Sequence, residues 1–333
     1  MKKLLKLTSI VMSVIMMFTL CACGGNDTPT DVSSVAEKAK VKIATLSGPT
    51  GMGMVNMMSN PSTELADYEF TVEGDPQTLA AAMINQQYDI CALPVNVAAT
   101  LYNKTNGKVK IAAVNTLGNL YVVSSDKSIK ELSDLKGKKI VSAGQGATPE
   151  YLFKYILSEL NIEEAVCENL EYKTEHDEVS ALLASGGATI GILPEPAATA
   201  TIAKNPNLSR VIDLNAEWDE IHKNEYPLTQ GCIVVSSDFA ETNKAVLDEF
   251  LANYKKSVDF TNQNVEDAAT LIEQNKIFKS AKIASKAIPS ARICYMDGAE
   301  MKKAVANTLN VLWQADKKSV GGKLPDDSFY YAK

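Results

Sequence analysis

The sequence predicts an α/β protein built as two similar lobes joined by two crossover strands, with a ligand cleft between them. Short apolar strand-like runs alternate with helical stretches along the whole chain, the pattern of largely parallel sheets. The chain also echoes itself. Ile43-Ala44-Thr45-Leu46-Ser47-Gly48-Pro49-Thr50 returns as Ile140-Val141-Ser142-Ala143-Gly144-Gln145-Gly146-Ala147-Thr148, in each case a strand, a glycine-containing turn and the start of a helix. Ile90-Cys91-Ala92-Leu93-Pro94 returns as Ile190-Gly191-Ile192-Leu193-Pro194, each followed closely by Ala-Ala-Thr at Ala98–Thr100 and Ala197–Thr199. Similar spacing in the two halves indicates two lobes of one plan.

In the first half, strands are expected at Val41–Leu46, Tyr68–Val72, Ile90–Leu93 and Val109–Val114. Asp75-Pro76 has the chemistry of an N-cap and first helical position, opening a helix to about Gln87. A further helix is expected over Val95–Tyr102. The second half repeats the order with Lys139–Ser142, Pro149–Leu160, Cys167–Tyr172, Asp177–Ser185, Ile190–Leu193 and Glu195–Ala203. A third echo, Val122-Val123-Ser124-Ser125-Asp126 against Val234-Val235-Ser236-Ser237-Asp238, brackets that second half. It reads as the pair of crossing strands, with the chain leaving lobe one near Ser125, returning near Gly231, and hinging there. The domains expected are therefore 41–125 for the first part of lobe one, 126–230 for lobe two and 231–333 for the return. Ala240–Phe260, Val265–Gln274 and Met296–Gln314 have helical periodicity and are expected to pack back on lobe one, ending at Gly321-Gly322-Lys323-Leu324-Pro325.

Lys2, Lys3 and Lys6 precede an apolar stretch from Leu7 to Leu20, a secretory signal too short to span a bilayer comfortably. Leu20-Cys21-Ala22-Cys23 resembles a bacterial lipobox, which implies cleavage after residue 22 and a lipidated Cys23. Residues 23–40 begin with small and polar side chains and read as a flexible tether. The folded body, about 290 residues, suits two lobes better than one core.

The signal holds three of the 33 basic residues, which leaves 30 against 40 acidic ones, a net charge of −10. Nothing in that balance favours nucleic acid, and the acidity is read as solubility. Cys91, Cys167, Cys232 and Cys294 form no CxxC pair and have apolar neighbours, so buried free thiols are expected. His176 and His222, the two histidines of the chain, fall in polar helices read as exposed, and no Cys/His spacing fits a metal site.

Taken together, the lipobox, the Ser-Gly-Pro-Thr-Gly turn, Asp89–Pro94 before a helix, Leu135-Lys136-Gly137-Lys138-Lys139-Ile140 with its glycine-rich turn, and the Gly321–Tyr330 ending resemble an ABC-importer binding protein of the nitrate/sulfonate/taurine and thiamine-precursor binding family. The resemblance covers nearly all of the chain beyond the signal. It implies the type II periplasmic-binding fold, a cleft between lobes, an ABC permease as partner, anchoring to the outer face of the cell membrane, and binding without catalysis or cofactor by a monomer.

In open α/β sheets a ligand sits at the carboxyl ends of strands. Four turns are expected to meet there, and they supply the candidates Ser47, Gly48, Pro49, Thr50 and Gly51; Pro94 and Asn96; Gly144, Gln145, Gly146 and Thr148; and Pro194 and Glu195. Gln230, before the return strand, joins them. Helix starts offer unpaired N–H groups and glycine allows close approach. The hydroxyls serve equally as helix caps, and the glycines serve equally as turn formers. Tyr121 and Tyr151 are placed either to stack on a planar ligand or to fill the core. Arg210 and Arg292, the two arginines of the chain, fall outside these turns, and Glu195 is the charged side chain within them. That favours a small nitrogen-containing heterocycle or vitamin precursor over a sulfonate or nitrate. The alternatives are an enzyme of the same fold acting on a thiamine-pyrimidine-like compound, and a ligand-loaded sensor subunit.

Overall fold

The computed structural model describes residues 37–332, so the signal segment and Cys23 lie outside the described residues. Among the described residues, eleven strands form two sheets. They are β1 (Ala39–Leu46), β2 (Ala66–Glu73), β3 (Ile90–Pro94), β4 (Val109–Leu117), β5 (Leu120–Ser124), β6 (Ile140–Ala143), β7 (Leu170–Lys173), β8 (Ile190–Pro194), β9 (Ser209–Asp213), β10 (Thr229–Ser236) and β11 (Ile293–Met296). The first sheet runs β11-β4-β10-β3-β1-β2 and the second β7-β6-β8-β5-β9.

Helices cover both faces of the first sheet, so its central strands are apolar on both sides. Ala44, Leu46, Cys91, Leu93, Cys232 and Val234 pack in one cluster, while Val41, Ile43, Ile90, Ala92, Ile233 and Val235 pack in another. The alternation is the two-residue period of a strand. Asp75 caps its helix as expected, its carboxylate accepting the Thr78 N–H at 2.7 Å.

The third echo has a different meaning from the one expected. β5 pairs antiparallel with β8 in the second sheet, and β10 pairs antiparallel with β3 in the first. The repeated Val-Val-Ser-Ser therefore marks the antiparallel strand of each lobe beside its Leu-Pro strand. The crossing lies earlier than Ser125: β4 ends at Leu117 and β5, already in the second sheet, starts at Leu120. Gly118 and Asn119 make the passage, with Gly118 N–H donating to Leu228 O at 2.8 Å. A Cβ on Gly118 would stand 2.4 Å from Leu228 Cδ2, so the close approach requires glycine. The return also precedes Gly231, because Thr229 is already paired with Leu117.

The C-terminal helices depart from the expected packing as well. Lys244–Gln263 buries Leu247, Phe250, Leu251 and Tyr254 against the first sheet. The helix Gly298–Ala315, however, packs on Thr148–Glu159 of lobe two as well as on β4 and β10, and Ala281–Ala291 packs on Ala197–Lys204. Val305, Leu309 and Leu312 consequently share one apolar cluster with Phe153, Ile156 and Trp218 of lobe two.

Both histidines are half-buried where exposure was expected. His222 lies with its ring centroid 4.3 Å from that of Trp218 and its Nε2 3.1 Å from the Tyr155 hydroxyl. Cys91, Cys167, Cys232 and Cys294 are free thiols. Among the described residues no helix is long and apolar enough to cross a membrane, and no group of three or more His, Cys, Asp or Glu is arranged around a metal position.

Candidate functional site

The two Leu-Pro corners are joined through the crossing itself. Pro94 stands opposite Gly231 across β3 and β10, and Pro194 stands opposite Leu120 across β8 and β5. Between them, Asn119 donates its backbone N–H to Gln230 Oε1 at 3.3 Å and accepts the Glu195 N–H at 3.1 Å. A few hydrogen bonds thus connect the second turn to the fourth and place Gln230 between the lobes.

In the first turn Ser47 is exposed and Gly48, Pro49 and Thr50 are half-buried. The N–H groups of Ser47 and Gly48 are already committed, to Glu73 O and Ile277 O, each at 2.9 Å. Gly48 adopts φ 88° and ψ −158°, a region open in practice to glycine. Thr50 follows Pro49 inside the short helix Pro49–Met52, and its carbonyl accepts the Asn115 amide at 3.1 Å. Gly51 is a packing requirement, since a Cβ there would lie 2.4 Å from Leu46 O.

At the second turn Pro94 precedes the helix Val95–Thr105, which has no side-chain cap and no acid in its first turn. Asn96 reaches away to Ser319 O at 3.5 Å. In the third turn Gly144 and Gly146 have φ of 81° and 71°, and Gln145 is exposed. Thr148 is the first residue of its helix, with Ala147 in the cap position. Gly146 N–H donates to Glu150 Oε2 at 2.5 Å, and Lys154 Nζ sits 2.7 Å from Glu150 Oε1. Burial raises the Glu150 carboxyl, but the Gly146 N–H and the Lys154 ammonium outweigh it and leave it below the ordinary glutamate range.

The fourth turn differs most from expectation. Glu195 is 2% exposed. Its Oε1 accepts Arg210 Nε–H at 2.6 Å, and its Oε2 accepts the Thr199 hydroxyl at 2.8 Å and the Thr199 N–H at 3.3 Å. Arg210 Nη2 also reaches both Glu195 and Thr199. Glu195 is fully partnered within lobe two, which overturns the expectation of a carboxylate free to meet donors of a ligand.

Several residues outside the four turns stand at the lobe junction. Arg292, after the helix Ala281–Ala291, pairs with Asp213 Oδ2 at 2.6 Å, so that an ion pair spans the lobes. The Tyr121 hydroxyl donates to Ser290 O at 2.8 Å while the Arg210 guanidinium lies 5.4 Å from the Tyr121 ring centre. Tyr121 is therefore a buried junction residue, and burial followed by the Asp213 charge pushes its hydroxyl above the usual tyrosine value. Tyr151 donates to Gly146 O at 2.9 Å and reaches Asp316 at 3.3 Å. The one sequence signal for the junction was Gly118-Asn119, a turn dipeptide between two apolar runs.

Solved structures share this architecture. An ABC transporter from Parabacteroides distasonis is 24% identical with a TM-score of 0.73, over 88% of this chain and 99% of that one. The periplasmic aliphatic sulphonate binding protein SsuA from Escherichia coli is 14% identical with a TM-score of 0.68, over 85% and 94%. The desulfurization enzyme DSZB is 12% identical with a TM-score of 0.58, over 88% and 96%. At these identities the likeness is one of fold, the type II periplasmic-binding fold, which serves binding proteins and an enzyme alike. No curated protein matches the chain. Residues 52–287, more than half of the chain, match the model of the menaquinone biosynthesis family; the chain belongs to that family.

Proposed function

We propose that the protein is the extracytoplasmic solute-binding component of an ABC importer, held to the outer face of the cell membrane through lipidated Cys23 and acting as a monomer. It captures a small organic molecule between its lobes and presents the closed form to a membrane permease. The observation that supports this reading is the linkage of the Pro94 and Pro194 corners through Asn119, at the passage between the two sheets. Lobe rotation takes place at Gly118-Asn119 and Leu228-Thr229, where two short passages absorb the change. Each lobe supplies part of the contact surface, so the closed form alone is fully complementary to ligand. Calorimetric titration against pyrimidines, riboflavin, taurine and nitrate, paired with X-ray scattering, tests this. A ligand returned chemically unchanged and a decrease in radius of gyration on binding are expected; a bound ligand with no compaction refutes the closure mechanism.

The family match favours a second reading, an enzyme acting on a small organic compound in menaquinone biosynthesis. Against it, the two carboxylates next to the lobe-two turns, Glu195 within the fourth and Glu150 in the helix after the third, are engaged by Arg210 and Lys154, where an acid or base would need to be free. Chromatographic detection of a product after incubation with candidate compounds would establish this second reading.

A further inference from the structure

The chain carries 40 acidic residues, yet two long stretches hold none. One runs between Glu195 and Asp213 in lobe two and contains Lys204 and Arg210. The other runs between Glu273 and Asp297 in the return to lobe one and contains Lys276, Lys279, Lys282, Lys286 and Arg292. The fold brings the two together, because the helix Ala197–Lys204 packs on the helix Ala281–Ala291. Beside that contact lies an open recess of about 430 Å³, lined by Thr199, Ile202, Ala203, Pro206, Arg210 and Lys286. It shares no residue with the four turns of the crevice.

Three of the lining residues are apolar, two are cations and none is an acid. Arg210 is already held in place. Its Nε and Nη2 face Glu195 and Thr199, and its guanidinium lies 5.4 Å from the Tyr121 ring centre. Nη1 has no partner, which leaves two N–H donors on a group whose position is set. Glu195 offsets the Arg210 charge, so the uncompensated cation of the recess is Lys286. It is exposed and, like Lys204, Lys276, Lys279 and Lys282, forms no ion pair among the described residues. A protein of net negative charge thus keeps one local face positive, and such a field gathers anions.

We propose that this recess is a second ligand site, one that takes a small organic anion. Arg210 Nη1 and Lys286 Nζ hold its anionic oxygens, and Ile202, Ala203 and Pro206 receive its apolar part. A fixed guanidinium edge beside a mobile ammonium suits a pair of anionic oxygens. Lys286 belongs to lobe one and the other lining residues to lobe two, so the bound anion ties the lobes together. The inference is independent of what occupies the crevice.

The test is calorimetric titration of the full chain beyond the signal, at low salt, with hexanoate, acetate and hexylammonium. Wild type is expected to bind hexanoate in the millimolar range or tighter, acetate about tenfold more weakly, and hexylammonium not at all. Lys286→Gln is expected to weaken hexanoate about tenfold. Lys286→Glu from lobe one and Ala203→Glu from lobe two are each expected to abolish it; both positions are exposed, and circular dichroism checks the fold. Lys303→Glu, the same change of charge at an exposed position outside the recess, is expected to leave it within about twofold. Absence of hexanoate binding by wild type at about 10 mM overturns the proposal. So does unchanged binding by either folded recess Glu variant, which would place the anion elsewhere, and so does equal affinity for acetate and hexanoate.

Discussion

Arg210, fifteen residues after Glu195, donates its Nε–H to that carboxylate at 2.6 Å and so neutralises a side chain that is 2% exposed. The pair sits directly behind the Pro194 corner, and the Thr199 N–H and hydroxyl complete it. Removing one member leaves a partly buried guanidinium and two donors without their acceptor. We expect Glu195→Ala to cost about 3 kcal/mol of stability, because breaking such a pair strands the remaining charge. Urea denaturation measures it, and a loss below about 0.5 kcal/mol would mean that the pair is solvated.

The Arg292–Asp213 pair joins the lobes, but each side chain is about a third exposed. Asp213 also caps the helix Leu214–Ile221, accepting the Asn215 N–H at 3.0 Å, a role that asparagine preserves. Asp213→Asn should therefore change global stability by only about 0–1 kcal/mol while loosening the junction. The expected readout is a larger radius of gyration in the ligand-free protein at low salt, with the difference from wild type shrinking as salt screens the pair.

Gly48 has φ 88° and ψ −158°, and no atom stands within 4 Å of a Cβ added there. Gly48→Ala thus isolates backbone strain from steric clash. A cost of about 1–3 kcal/mol is expected, read from the denaturation midpoint at unchanged slope.

Burial lowers the pKa of both His176 and His222 from the usual 6.5. A folded value below the unfolded one means that the unfolded chain takes up protons first on acidification. Stability is therefore fully present above 6.5 and is lost as pH falls from there through the folded values. We expect the thermal midpoint to fall between about pH 7 and about pH 5, and His222→Gln to flatten part of that slope. A midpoint that is constant across this window would show that neither histidine resists protonation in the fold.

Much of the fold was legible because it is written locally. Asp75-Pro76 carries its cap, the Ile90–Pro94 and Ile190–Pro194 strands are apolar runs ending in proline, and Gly48 occupies a conformation that few other residues adopt. The crossing was misplaced by several residues because Val122–Ser125 resembles Val234–Ser237 for a reason unrelated to hinging: both lie beside a Leu-Pro strand and meet the same packing demands. Glu195 was misread because its environment is set by Arg210 and Thr199, contacts that only the folded chain creates. The same holds for Arg292, whose partner Asp213 lies 79 positions away.

The order of strands also has a bearing on how the protein is made. β10 lies between β3 and β4 in the first sheet, yet it is translated only after the whole of the second sheet. A nascent chain emerging from the ribosome or a secretion channel can finish its second sheet while the first still lacks an interior strand. Until Thr229–Ser236 arrives, the neighbouring edges of β3 and β4 have no partner to close on. Assembly of the earlier half must wait for the later one, so chaperone protection is needed most by the part synthesised first.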